Sequence, residues 1–574
     1  MSPRRSLFPA LLFVGFLTAT LQADTRPAPP PLPESQAAVK RVEPPLHPQI
    51  DQLIEAATPN FRKIAAPLCS DAEFFRRAHL DLTGSVPTGE ETRAFLADQT
   101  PTQEKRAALI ELLLASPRYA RRMQYVLDEM IMERRAGSNV PDAEWQNWLR
   151  SSIRENRRWD AVVAEILAAD GAEDAKRPAA KFYLDRDFEV DVVTRDVGRI
   201  FLGVDLECAQ CHDHPSIDGY LQRHYYGISA FLKRSYVFTD AKSKKKMLGE
   251  KAEGDVKFTS VFTSVEGMTN PRLLDLPQIP DPDGVEKAYL VKPESKTRGI
   301  PQYSRRLQLP LSMISDENVD FRRNIVNRLW AVMMGRGLVE PLDVRHADNP
   351  ATHPEVLSLL ADELLRHEYD VRWLIRELAL TATYQRGRAA GDPNDEVHTY
   401  AGAYLKALSP EQLAWSVMDV TGVSTQTLAA KKAELLKKDP KSGEAKTADP
   451  LWQEETLHDA LKANVDQFVT TFAGQGGQKT GFDSSADQAL FLLNGALIQK
   501  WLVPANGNLT DRLRKLEASA EFAEELYMSV LNRAPGDEEV AAVTSYLEAV
   551  SDRDAATQEL TWALMTSAEF RFNH

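Results

Sequence analysis

Residues 352–365 read Thr352-His353-Pro354-Glu355-Val356-Leu357-Ser358-Leu359-Leu360-Ala361-Asp362-Glu363-Leu364-Leu365. Val356, Leu357, Leu359, Leu360, Leu364 and Leu365 recur at helical spacing, which gives a helix one apolar face. Thr352 with Glu355 has the spacing of a capping box, where a hydroxyl accepts the third helical N–H and a carboxylate reaches back. The same signature stands at Ser70 with Glu73 and at Thr88 with Glu91. Ser409-Pro410-Glu411-Gln412 adds Pro at the first helical position, where its missing N–H costs nothing. Between these starts the apolar pattern stays helical, so the chain is expected to be mainly α-helical and multi-domain.

Working outward, the pattern breaks around 236–300. Lys242 to Lys246 is a polar loop, Val256 to Val265 is β-branched and aromatic, and Pro and Asp follow through Pro293. A small β-containing insert is expected there. Residues 430–450 are Lys, Glu and Ala with few large apolar residues, which reads as a solvated helix end and loop. Residues 24–48 are Pro-rich and read as an extended linker. The expected organisation is 1–23 signal peptide, 24–48 linker, 49–235 helical domain, 236–300 insert and 301–574 second helical domain. A weak repeat is visible near the two ends, which suits either two copies of one helical hairpin or a chance similarity between capped helices. Val86-Pro87-Thr88-Gly89-Glu90-Glu91 precedes Phe95-Leu96, and Ala534-Pro535-Gly536-Asp537-Glu538-Glu539 precedes Tyr546-Leu547. Ser116 and Ser567 each fall 20 residues after the respective Leu.

The chain has 574 residues, 43% apolar and 26% charged, with a net charge of −14. This is globular composition, not disorder, and about three or four domains by length. The acidic balance argues against nucleic acid, whose phosphates need a basic surface. Arg4 and Arg5 followed by the apolar stretch Leu7 to Leu21, with Ala23 as a small residue for cleavage, read as a secretory signal. No later stretch is apolar and long enough to span a bilayer. The expected location is extracytoplasmic, periplasmic or secreted.

Chemistry concentrates at Cys208-Ala209-Gln210-Cys211-His212, the C-x-x-C-H pattern of c-type haem attachment. Two thiols two residues apart reach both vinyl groups from one turn, and the adjacent imidazole is placed under the iron. Other readings of the same residues stay open. Cys208 and Cys211 suit a disulfide in an oxidising compartment or a redox-active pair. With His212 and His214 they also make a Cys₂His₂ zinc set. His214, His224, Met247 and Met268 are the nearby candidates for a sixth iron ligand. Cys69 is alone and reads as a small buried residue.

A polar cluster follows: Arg322, Arg323, Asn324, Asn327 and Arg328, then Gly335-Arg336-Gly337, Asp343, Arg345, His346, Asn349 and His353. Arg323, Asn327, Arg328, Arg345 and His353 are candidates for a pocket holding an anionic or sugar ligand through charged hydrogen bonds. The competing reading is a buried network that locks helix ends to a loop. Gly474 to Thr480 is not a phosphate loop, because Gln478 stands where Gly must precede the Lys. His367-Glu368-Tyr369-Asp370 has no second His at zinc-protease spacing.

Several motifs together resemble a known family pair. Arg76-Arg77, Leu80-Asp81-Leu82-Thr83-Gly84 and Pro87 resemble the start of a planctomycete cytochrome-type domain. Phe201-Leu202-Gly203-Val204, then Cys208 through Pro215, resemble its centre, and Tyr225-Tyr226-Gly227 with Phe231 its close. Asn327-Arg328-Leu329-Trp330, Gly335 through Val339, Asp348-Asn349-Pro350, His353-Pro354-Glu355, Tyr384-Gln385, Gln488 through Asn494 and Glu569 through His574 resemble the second domain that accompanies it. The resemblance implies secreted proteins largely of unknown function, with a cytochrome c label resting on the Cys motif. Some relatives add a separate haem domain, and no second C-x-x-C-H occurs in these residues. Ser216-Ile217 replaces a usual aromatic, and Val344 interrupts a usual acidic pair. The expectation is a c-type cytochrome-like protein with haem c on Cys208, Cys211 and His212 and a redox partner. The alternative is a non-haem extracytoplasmic binding or scaffold protein with a polysaccharide ligand, and zinc, a disulfide or no cofactor at the Cys motif. A hydrolase is a third reading for which no nucleophile can be assigned.

Overall fold

The computed structural model describes residues 45–573 apart from 263, 286, 389–398, 474–487, 489–490 and 492–494. The expected signal peptide, nearly all of the linker and the Gly474–Thr480 stretch lie outside the described residues. The described chain is mainly helical. Its strands form four separate two-stranded antiparallel ladders. Three of them occupy the expected insert: Ser235–Thr239 with Lys246–Glu250, Val256–Thr259 with Glu266–Thr269, and Tyr289–Val291 with Ile300–Pro301. The fourth pairs Lys406–Ala407 with Phe572–Asn573.

Helix Asp71–Thr83 sits between two hydrophobic cores. Phe74, Ala78 and Leu82, spaced four apart on one face, enter a core that includes Ile110, Trp145, Phe182, Phe231 and Trp330. Leu80 points the other way and joins Trp415, Phe468, Leu513, Phe522 and Phe570. Burying one such side chain contributes about 1.5–3 kcal/mol. The first core draws residues from Leu46 to Ala401, so the N-terminal helices and the Leu360 helix share one apolar interior.

A buried polar node ties the same helix to distant parts of the chain. Lys406 Nζ donates to both Asp81 carboxylate oxygens at 2.7 Å and to the Met333 carbonyl at 2.8 Å. Tyr384 Oη and Asn573 Nδ2 donate to Asp81 at 2.9 and 2.8 Å. A buried pair of this kind is held because every remaining lone pair and proton finds a partner.

The sequence repeat falls on two runs of three consecutive helices. Helices Asp71–Thr83, Gly89–Ala97 and Thr102–Ala115 correspond to Ser519–Val530, Asp537–Ala549 and Arg553–Thr566. The first helix of each set is followed by a left-handed residue three positions before a Pro, namely Gly84 (φ 76) and Asn532 (φ 60). The copies interlock. Arg76 donates to the Val530 carbonyl at 3.1 Å, Asn532 Oδ1 at 2.8 Å and the Phe570 carbonyl at 3.0 Å. Asn532 Nδ2 in turn donates to the Pro87 carbonyl at 2.9 Å.

Caps formed at three of the four expected starts. Ser70 accepts from Glu73 N, and full boxes form at Thr88/Glu91 and Ser409/Gln412. The Thr352 box does not form. The Thr352 hydroxyl donates to the Leu338 carbonyl at 3.3 Å, and helix Pro354–Arg366 starts one residue later with His353 as its uncapped N-cap. Residues 430–450 are helical rather than loop, in Val423–Lys438 and Pro440–Ala448. Ala, Lys, Glu and Leu are strong helix formers even where little is buried, and Asp439 caps the second helix ahead of Pro440.

Candidate functional site

The cysteines arrive at the end of a helix that changes pitch. Val190–Asp196 is α-helical and Val197–Leu202 continues as a π-helical turn, a rare form that favours functional sites. Gly203 ends it at φ +69, and a Cβ there would meet Asn324 Oδ1 at 2.8 Å. Both the dihedral and the space demand glycine. Behind the turn lies a cluster of ions. Asp196 bonds Arg186 at 2.6 Å and Arg199 at 2.9 Å, and Arg199 also pairs with Glu133. Burial, the largest influence, raises the Asp196 carboxyl, but Arg186 and Arg199 outweigh it and hold the group below the usual range.

Cys208–Gln210 is a single 3₁₀ turn. Ala209 is fully buried and pins the turn, while Cys208 and Cys211 are exposed free thiols, not joined in a disulfide. Cys211 N and His212 N both donate to the Cys208 carbonyl, at 3.2 and 3.4 Å. The outer face of the turn is tied down as well. Gln222 Nε2 donates to the Gln210 and Thr259 carbonyls at 3.4 and 3.3 Å, and Tyr226 Oη donates to the Gln210 carbonyl at 3.1 Å.

His212 Nδ1 lies 2.7 Å from the Asp213 carbonyl oxygen. A carbonyl only accepts, so Nδ1 carries the proton and Nε2 keeps its lone pair. This is the tautomer a metal needs, set by the bond on the other nitrogen. Asp213 Oδ1 accepts from Gln222 N at 2.7 Å and so fixes the start of helix Gln222–Leu232.

His214 faces elsewhere. Its Nδ1 accepts from Ser216 N at 3.1 Å, and its ring meets Tyr220 edge-on at 5.9 Å. Among the described residues no three His, Cys, Asp or Glu side chains gather as a metal-holding group. Cys208, Cys211, His212 and His214 therefore do not converge as one tetrahedral set here. Of the other sixth-ligand candidates, His224 is buried with Nε2 on Asp275 at 3.0 Å, and burial lowers its pKa against the pull of Asp275. Met247 pairs with Phe238 in the first ladder. Met268 is exposed on strand Glu266–Thr269.

The polar cluster is divided between backbone and side-chain partners. Asn324 Nδ2 donates to the Ile200 carbonyl at 2.7 Å, and Arg328 donates to Asn324 Oδ1 at 3.1 Å and the Arg199 carbonyl at 2.8 Å. Asn327 pairs both ways with the Val339 backbone at 2.9 Å. Arg345 bonds Asp320 at 2.9 Å, and Arg323 reaches Ser358 at 3.4 Å. His353 is buried beside Tyr400 and Thr352, and burial pushes its pKa down to about 4. Burial likewise pushes Arg328 down to about 10. The five candidate pocket residues thus each have different partners and share none. The cluster does reach the Cys loop: Arg345 N donates to the Gly203 carbonyl at 3.2 Å, Tyr220 Oη donates to the Arg345 carbonyl at 3.1 Å, and Tyr220 meets His346 at 5.9 Å.

Residues 49–236 match the family PSCyt2, a protein of unknown function (DUF1549), and residues 305–547 match PSD1, a protein of unknown function (DUF1553). The chain belongs to this family pair. No curated protein and no solved structure matches it. The PSCyt2 match contains the Cys turn, and the PSD1 match contains Asn324, Arg328 and Arg345, which bond the Ile200, Arg199 and Gly203 carbonyls ahead of that turn. No described helix is long and apolar enough to cross a membrane.

Sequence reasoning missed one part of the site, and it falls between the two matched spans. The hairpin of Val256–Thr259 with Glu266–Thr269 leans over the Cys turn. Val261 N donates to the Cys211 carbonyl at 3.2 Å, and the Phe262 ring lies 4.5 Å from the His212 ring. Phe258 stacks on Tyr226 at 4.6 Å and anchors the hairpin. The adjacent pair Val261-Phe262, too apolar for a turn, was the available signal. A second feature escaped reading altogether, a polar cleft of about 660 Å³ bordered by Glu90, Arg93, Asp419, Gln426, Asn508 and Glu525. Arg512 and Arg93 are both already paired with Glu525.

Proposed function

We propose that this PSCyt2–PSD1 protein is an extracytoplasmic, c-type cytochrome-like electron carrier. The carrying observation is the His212 bond to the Asp213 carbonyl, which leaves Nε2 as a free donor beside two exposed thiols on one pinned turn. These residues fit a covalently held haem. Cys208 and Cys211 would hold it as thioethers and His212 would be a ligand to its iron. Haem bound there supplies one-electron redox chemistry.

The chain's own contribution is positional. Ala209 anchors the turn in the core, Gln222 and Tyr226 fix the Gln210 carbonyl, and Asp213 orients the imidazole. The extracytoplasmic reading rests on Arg4, Arg5 and the apolar run that follows them, and it suits covalent haem attachment. A redox partner is implied by the same chemistry.

The test is a UV–visible spectrum of protein exported from a host competent for haem attachment. A Soret band that survives acid-acetone extraction is expected. Folded, colourless protein from that host refutes the proposal.

A further inference from the structure

We infer that Val261, Phe262 and Val265 at the hairpin tip are the apolar wall of the haem site and that Phe262 is the positioning residue for His212. The inference rests on the haem reading above. Val261, Phe262, Val265 and Met268 are 63%, 76%, 64% and 68% exposed. Val261, Phe262 and Val265, three large apolar side chains open within five residues of the tip, mark a surface that something covers, while Met268 points from the strand face opposite Phe258. The occupant follows from what stands beside them. Val261 N holds the Cys211 carbonyl and Phe262 lies against the His212 ring, tilted by 45°. A flat apolar ring anchored through Cys208 and Cys211 would lie against this tip.

The hairpin is also built to stay in place. Strand residues Val256 and Thr269 are buried, Phe258 stacks within 7° of parallel on Tyr226, and the Thr259 carbonyl accepts from Gln222. Gln222 therefore clamps the hairpin and the Cys turn with one amide, because it also donates to the Gln210 carbonyl. A Cβ on Gly267 would meet the Phe258 ring at 2.4 Å, so a bare glycine lets that ring lie flat against the strand.

Phe262 acts through His212 rather than on the iron. Its ring limits rotation of an imidazole that is otherwise held by one hydrogen bond. The experiment uses the full exported protein as wild type, Phe262→Ala, Phe262→Leu and Val265→Ser, with haem content, midpoint potential, the electron paramagnetic resonance signature of the axial imidazole, and binding of added imidazole as readouts. Haem content should equal wild type in all variants, since the thioethers do not involve the hairpin. Phe262→Ala should lower the potential, broaden the axial signature, and raise affinity for added imidazole about tenfold, that is by about 1.4 kcal/mol. Phe262→Leu should restore most of the wild-type behaviour, and Val265→Ser should lower the potential with the axial signature unchanged. Unchanged potential and signature in Phe262→Ala with full haem content overturns the hairpin inference alone. Wild type without haem overturns the function reading and this inference with it.

Discussion

Gly203 ends the turn that delivers the cysteines, and its φ of +69 and its 2.8 Å approach to Asn324 leave no place for a side chain. Gly203→Ala should cost about 1–3 kcal/mol in urea denaturation. Gly219→Ala, with nothing within 4 Å of its Cβ, should cost little. Equal costs would remove the strain argument. His353 makes a pH prediction. Burial lowers its folded pKa to about 4, against about 6.5 in the unfolded chain. Between those values the unfolded state binds the proton and the folded state does not. Its stabilisation is therefore complete above about pH 6.5 and is lost as pH falls toward 4. His458, pushed down to about 3 by burial and by Arg150 and Arg121, acts in the same direction. His353→Gln should flatten the stability-versus-pH slope in that window by up to about 1.4 kcal/mol per unit. Parallel curves for variant and wild type would contradict it.

At the scale of elements, caps were legible where the hydroxyl had no better partner. Ser409 begins helix Pro410–Val420 with a full box, and Gln412 also donates to the Leu80 carbonyl at 2.7 Å. Ser409→Ala should cost about 1 kcal/mol, read from the urea midpoint, whereas a cost near zero would mean the Gln412 bond alone sets the start. Thr352 has the same spacing to Glu355, yet its hydroxyl goes to Leu338, which lies 14 residues away and no local pattern reveals. The Cys turn was legible because its chemistry is written in consecutive residues. The Arg323–Arg328 cluster was visible as a cluster, but Asn324, Arg328 and Asn327 in it bond the carbonyls of Ile200, Arg199 and Val339. Backbone acceptors carry no sequence signature. The hairpin over His212 was hidden for a related reason. Val256 to Val265 reads as β-branched and aromatic, and only the fold shows that the chain turns back after Thr259 and places Phe262 over His212.

At the scale of the whole molecule, helix Asp71–Thr83 and the Asp81–Lys406 node join elements from the whole described length. Lys406 is mostly buried, and burial lowers its pKa against the opposing effect of Asp81. Lys406→Met would strand the Asp81 carboxylate and should destabilise by about 3–5 kcal/mol. Adding Asp81→Asn should recover part of that loss in the same thermal melts, because the charge is then gone. No recovery would show that the node holds the fold through geometry rather than charge. The same helix carries Arg76, whose three bonds clasp the second repeat. The sequence repeat was therefore visible, while the clasp between its copies was not, since it links residues more than 450 positions apart.

The central claim is a covalent haem on one turn of chain. The most direct measurement is mass spectrometry of the peptide containing Cys208 to His212, taken from protein exported with haem-attachment machinery. The account predicts that this peptide carries the mass of one haem, and that Cys208→Ser with Cys211→Ser abolishes it. An unmodified peptide with two free or mutually oxidised thiols, from folded protein, would contradict it.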